Sequence, residues 1–151
     1  MPEARLSVVI AAAELLPNDF GLAADVWSCP SFNELRRDGL AAERWNLLHP
    51  SQTPRKSYVE ECLDGRQGPV IASTDYMRAF AEQIRPFVPQ RYVCLGTDGF
   101  GRSDYRVALR KFFEVNRHYV VVAALKSLAD EGLVPKPKVA EAIATYGIDP
   151  E

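Results

Sequence analysis

Two short apolar runs, Pro69-Val70-Ile71-Ala72-Ser73 and Tyr92-Val93-Cys94-Leu95, constrain this chain more than anything else in it. Each opens after turn residues and runs through a small polar junction into a helical pattern. Strand-like runs alternating with helical stretches predict a parallel sheet flanked by helices. Residues 5–16 are apolar on most faces and predict a deeply packed helix that Pro17 and Asn18 stop. Residues 23–29 (Ala-Ala-Asp-Val-Trp-Ser-Cys) predict another strand. Ser31 and Glu34 have capping-box spacing and open a short helix that Asp38-Gly39 ends; residues 40–48 add a further helical turn or two before Pro50. A polar loop, 51–56, precedes a short helix over 57–63 and a turn at Asp64-Gly65. After the 69–73 strand, Ser73 or Thr74 caps a helix with Met77, Phe80, Ala81 and Ile84 on one stripe, broken by Pro86 and Pro89. Ser103 caps a helix over 104–113 and Asn116 one over 117–130, with Gly132 behind it; the last helix spans 138–146, ahead of Gly147.

A length of 151 residues suits one domain with one core, here residues 1–151. The net charge of −2 and the scattered lysines and arginines give no footprint for nucleic acid. The longest apolar stretch, Leu6 to Leu16, is too short for a bilayer and carries Glu14, so no membrane partner is expected. It also lacks a basic start, because Glu3 offsets Arg5. Cys29, Cys62 and Cys94 are odd in number and far apart, which favours reduced thiols in a cytoplasmic protein over disulfides or a zinc site. His49 and His118 are a poor metal set and read as structural.

The strand-to-helix junctions are the places where an α/β protein holds ligands. The first is Ser73-Thr74-Asp75. The second is the loop Gly96-Thr97-Asp98-Gly99-Phe100-Gly101-Arg102-Ser103, where a helix N-terminus would offer N–H groups to an anion. Its glycines fall as G-x-x-G-x-G rather than in either phosphate-binding order, and Asp98 and Asp104 oppose Arg102. A tight, self-capped structural loop therefore explains it better. Both junctions together form one crevice or one contact surface. Nucleophilic catalysis has little support: there is no G-x-S-x-G elbow, no histidine is placed near a particular serine or cysteine, and Cys29 and Cys94 read as buried, inert thiols. Trp27 and Trp45 read as packing residues.

The stretches Ser73-Thr74-Asp75-Tyr76-Met77 and Thr97-Asp98-Gly99-Phe100-Gly101-Arg102-Ser103-Asp104 carry a more specific signal. With Ala24–Ser28, Ser31–Leu35, Glu43–Pro50, Phe113–Val115 and Val120–Leu125, they make the chain resemble the C-terminal domain of the homodimeric-type pyruvate dehydrogenase E1 component, a transketolase-like third domain. The resemblance covers nearly the whole chain. It implies a three-layer α/β/α fold with a small, mainly parallel sheet. It implies a parent enzyme that uses thiamine diphosphate and magnesium to decarboxylate pyruvate and reductively acetylate a lipoyl group on its E2 partner. The cofactor sits in the other domains of such enzymes. This domain helps dimer assembly, so its implied partners are the remaining E1 domains and a second E1 subunit. The family's Gly-Asp-Gly motif with a downstream Asn-Asn pair does not occur here, so no catalytic, cofactor-binding or metal-binding residue is carried over.

One departure stands out. Members of the family lead into the first helix from a strand ending in Gly-Ser-Gly, whereas Met1-Pro2-Glu3-Ala4 occupies that place here. That strand lies between those corresponding to 23–29 and 69–73, and its loss leaves backbone groups unpaired at about 1–3 kcal/mol each if buried. The expected compensation is direct pairing of 23–29 with 69–73, oligomerisation, or low stability. The leading expectation is a detached, non-catalytic domain of an E1 component. A free-standing module binding a small anion near Ser73, Thr97 and Arg102 is the alternative, and an interaction domain competing for E1 dimer partners is a weaker third.

Overall fold

The computed structural model describes residues 2–97 and 116–151, with side chains from Ser7 onward. The expected helix over 104–113 lies outside the described residues. The order of elements is α1 (Pro2–Phe20), α2 (Phe32–Leu48), α3 (Tyr58–Leu63), β1 (Val70–Ser73), α4 (Arg78–Glu82), a 3-10 turn (Arg85–Phe87), β2 (Tyr92–Leu95), α5 (Arg117–Asp130) and α6 (Lys136–Thr145).

β1 and β2 pair in parallel, in the register Val70 with Tyr92 through Ser73 with Leu95. Successive strand residues face opposite sides of a sheet, and here the two sides serve two cores. Val70, Ala72, Tyr92 and Cys94 pack with Phe32 and Leu35 of α2, Val59 and Leu63 of α3, Ala81 of α4, and Ile84, Phe87 and Val88. Ile71 and Leu95 pack instead with Val8, Ala12 and Leu16 of α1, Val121 and Leu125 of α5, and Val139 and Ala142 of α6. The arrangement is the expected small α/β fold: helices, a parallel sheet, helices.

Local chemistry explains where the elements begin and end. Asn116 caps α5, its side chain accepting from the Tyr119 amide at 3.0 Å. Ser57 and Glu60 form a reciprocal capping box on α3, with the Glu60 amide 3.2 Å from Ser57 Oγ and the Ser57 amide 2.6 Å from Glu60 Oε2. Ser31 accepts from the Glu34 amide at 3.2 Å and opens α2. The Glu34 carboxylate turns to Arg37, at 3.3 Å.

Several boundaries differ from expectation. Pro17 does not end α1, which runs to Phe20. Proline removes only one donor, and the inner stripe Val8, Ala12, Leu16 holds the helix beyond it. The stop is Gly21 at φ +67, where the Leu22 amide bonds Leu16 O at 3.2 Å and the Gly21 amide bonds Pro17 O at 3.1 Å. Asp38-Gly39 does not divide α2; Gly39 is buried inside one continuous helix. Its hydrogen faces the Phe87 ring, where a Cβ would stand 2.5 Å from Cε2.

The third correction concerns residues 23–29. They form no strand, pair with neither β1 nor β2, and are exposed throughout. An apolar run becomes a strand only beside another strand that takes its hydrogen bonds. Cys29, expected to be buried, is exposed. The segment is held instead by Arg66, whose guanidinium lies 2.5 Å from Asp25 Oδ2 and 5.1 Å from the Trp27 ring centroid. The expected direct pairing of 23–29 with 69–73 is not found. The expected helix after Thr74 is also shorter. It starts at Arg78 with no side-chain cap, and of its stripe Ala81 and Ile84 are buried while Met77 and Phe80 remain exposed. The last helix begins two residues early, at Lys136.

Candidate functional site

The carboxyl ends of β1 and β2 lie side by side, so the structure brings Ser73, Thr74, Asp75 and Thr97 together as the sequence suggests. The remaining candidates, Asp98, Gly99, Phe100, Gly101, Arg102 and Ser103, lie outside the described residues.

At this edge the chain bonds to itself. The Thr74 amide donates to Leu95 O at 2.9 Å and extends the ladder past the strands. The buried Thr74 hydroxyl accepts from the Tyr76 amide at 3.1 Å, a local turn that takes the place of a helix cap. The Thr97 amide donates to Tyr76 O at 2.9 Å, and the Thr97 hydroxyl donates to Asp75 O at 2.7 Å. Ser73 and Asp75 make further interactions of their own. The segment after β1 therefore folds over the residue after β2, and that residue must be small. A Cβ on Gly96 would stand 2.8 Å from both the Arg78 amide nitrogen and Tyr76 O. The described half of the edge is a sewn joint in which the amides of Thr74, Tyr76 and Thr97 are engaged internally.

Beneath it, Tyr92 and Cys94 face the α2–α4 layer. The Tyr92 hydroxyl donates to Ala81 O at 2.7 Å, and burial raises its pKa far above the ordinary phenol range. Burial also pushes the Cys94 thiol up to about 11, so it stays protonated and unreactive near neutrality. Arg85 binds both oxygens of Glu82, at 2.5 and 2.8 Å, and donates to Tyr92 O at 2.7 Å. The first of these bonds is the main cause that lowers the Glu82 carboxyl pKa. This network positions β2 against α4.

The sequence motif around Trp45 turns out to be a clasp, which residue types alone did not reveal. Trp45 is sandwiched between the Arg55 guanidinium, 4.0 Å from its ring centroid, and the His49 imidazole, stacked at 4.3 Å. His49 Nδ1 donates to Trp45 O at 2.8 Å. The Asn46 side chain accepts from the Arg55 amide at 2.7 Å and donates to Arg55 O at 2.9 Å, closing the 51–56 loop onto α2. An asparagine one residue after a tryptophan was the available signal.

Among the described residues, no three His, Cys, Asp or Glu side chains gather where they could hold a metal ion. With the backbone donors of Thr74 and Thr97 engaged as well, these residues do not fit a clamp for a diphosphate and its metal. No described helix is long and apolar enough to cross a membrane.

The family described as the transketolase-like TK C-terminal domain matches residues 4–116. The chain belongs to the transketolase-like C-terminal domain family. Relatives whose name is pyruvate dehydrogenase E1 component align along nearly all of this family member. One from Pseudomonas aeruginosa is 72% identical over 141 residues, 93% of this chain and 16% of the relative. One from Escherichia coli strain K12 is 55% identical over 139 residues, 91% of this chain and 15% of the relative. One from Mycolicibacterium smegmatis is 48% identical over 149 residues, 99% of this chain and 16% of the relative. The chain thus spans about a sixth of the length of these relatives, and it corresponds to a C-terminal part of such E1 components.

Proposed function

We propose that this chain is the structural third domain of a pyruvate dehydrogenase E1 component, supporting assembly of the other E1 domains and of a second E1 subunit. The observation that carries this reading is the 72% identity, over 93% of the chain, to an E1 component of which it spans only 16%. The parent reaction is decarboxylation of pyruvate followed by acetyl transfer to the lipoyl group of E2, in a cytoplasmic complex. Thiamine diphosphate and magnesium supply its chemistry. The joint between Thr74, Tyr76 and Thr97 suits a supporting role, because it ties the two strand ends to each other. No catalytic step is assigned to this chain's residues.

Two measurements test the proposal. Titration calorimetry of the 151-residue chain with thiamine diphosphate and magnesium should show no binding, and micromolar binding would overturn it. Mixing the chain with an E1 component that lacks its own third domain should restore a dimer on size-exclusion chromatography; failure to associate at any concentration would argue against the assembly role. If the chain were instead a small-anion module, phosphate or simple carboxylates would raise its melting temperature and Arg102→Ala would abolish the rise.

A further inference from the structure

Three helix ends meet at one aromatic cluster far from the strand-end joint. His118, in the first turn of α5, stacks on the Tyr146 ring at the end of α6, with centroids 4.4 Å apart and planes 19° from parallel. Phe20, the last residue of α1, meets the same Tyr146 ring edge-on at 6.4 Å. The Tyr146 hydroxyl donates to Asp19 Oδ2 at 2.8 Å. The Tyr146 ring thus links residues from α1, α5 and α6.

The surroundings of His118 oppose a positive charge on its ring. It sits near the N-terminus of a 14-residue helix, where the backbone dipole is positive. Arg117 beside it is cationic and its ring is partly desolvated, so its pKa is lowered below the usual histidine value, desolvation first and Arg117 second. From α1, among the described residues, the charged group facing it is Asp19, which pulls the other way but already accepts from Tyr146. From α6 the facing group is the Tyr146 phenol, which burial and Asp19 push up to about 12, so it stays a neutral donor.

We propose that His118, Tyr146 and Asp19 form an acid-sensitive latch that fastens the last helix onto the first. With a neutral imidazole the three ends are stacked and bonded. Protonation puts an imidazolium against Arg117 and the α5 N-terminus, and the ring leaves the stack. Apart from this cluster, α6 is held through Val139, Ala142 and the partly buried Ile143 in the α1–α5 core, so the turn around Tyr146 loosens before the sheet does. This inference does not depend on the proposed function.

The test is hydrogen exchange and histidine NMR on the 151-residue chain, between about pH 7.5 and 5.5, where a histidine changes charge. Exchange at the amides of residues 143–148, corrected for its intrinsic pH dependence, should rise several-fold as the pH falls, while that of β1 and β2 stays constant. His118→Phe keeps an aromatic ring on Tyr146 without the charge and should remove the rise. Tyr146→Phe keeps the ring stack but loses the bond to Asp19, and should raise exchange at residues 143–148 already at the upper pH. The latch is refuted if His118→Phe retains the wild-type pH dependence, or if His118 titrates at or above the ordinary histidine value in the unmodified chain. That second readout decides the matter even if the variant does not fold.

Discussion

Gly39 and Phe87 occupy the same space as closely as two residues can: a Cβ on the glycine would fall 2.5 Å from ring carbon Cε2. The missing side chain lets the middle of α2 sit directly on the aromatic ring that follows α4. Gly39→Ala should gain about 1 kcal/mol from helix propensity and lose about 1–3 kcal/mol to overpacking. The net expectation is a destabilised protein with α2 intact. A urea melt with the midpoint lowered and the slope unchanged would bear this out; a raised midpoint would mean that Phe87 moves aside freely.

Gly96 is a harsher case, because the atoms a Cβ would strike are the backbone of Tyr76 and Arg78 rather than a ring that can turn. Gly96→Ala should cost more than Gly39→Ala, about 2–3 kcal/mol, and should break the bond from the Thr97 amide to Tyr76 O. Loss of protection at the Thr97 amide, with β2 otherwise retained, is the exchange signature to look for.

Asn46 closes the 51–56 loop through two hydrogen bonds to Arg55. Asn46→Ala should cost about 1 kcal/mol, since both bonds are exposed to water. Its clearer effect should be faster proteolytic cleavage between residues 50 and 57, with the rest of the chain resistant. Equal cleavage of variant and parent would show that the stack of Arg55 on Trp45 suffices alone.

The Glu82–Arg85 pair predicts an acid-dependent contribution. Arg85 lowers the Glu82 carboxyl pKa below its unfolded value, so the folded state holds the carboxylate more readily. The stabilisation is therefore present above the ordinary glutamate range and disappears as pH falls through the lowered value. Glu82→Gln should flatten that part of the stability profile, which lies below the ordinary glutamate range. An unchanged profile would show that the pair is fully screened by solvent.

The thiols should separate by reactivity. Cys29 is exposed, whereas Cys94 is buried with its pKa pushed up to about 11. Partial desolvation raises the Cys29 thiol pKa as well, so accessibility decides the order: a thiol reagent added to native protein should modify Cys29 first and leave Cys94 untouched until denaturant is added. Prompt labelling of Cys94 would contradict its burial beneath the strand-end joint.

Legibility in the sequence followed the range of the physics involved. Caps and short buried strands are local, and Asn116, Ser31, Val70–Ser73 and Tyr92–Leu95 were found where expected. Gly39 and Pro17 misled because each normally ends a helix, and only a distant partner reverses that: Phe87 for the first, the α1–α5 core for the second. Residues 23–29 have strand composition, but a strand exists only with a neighbour, and composition does not supply one. The two strand-to-helix junctions do meet at one sheet edge, but the hydrogen bonds that tie them together join residues 20 or more positions apart, which no local pattern shows. The specific sequence around Trp45 and Asn46 marked something without naming it, because a cation–ring–imidazole sandwich is visible only in three dimensions.

The alternation of β1 and β2 between two separate cores has a consequence for how this molecule can fail. A shift of either strand by one position would send Tyr92 and Cys94, or Val70 and Ala72, into the wrong helical layer and disturb both interiors at once. Near misses in alignment are therefore penalised from both faces together. Eight residues carry the memory of how the two halves fit, and they leave no partly correct arrangement in which one half could settle without the other.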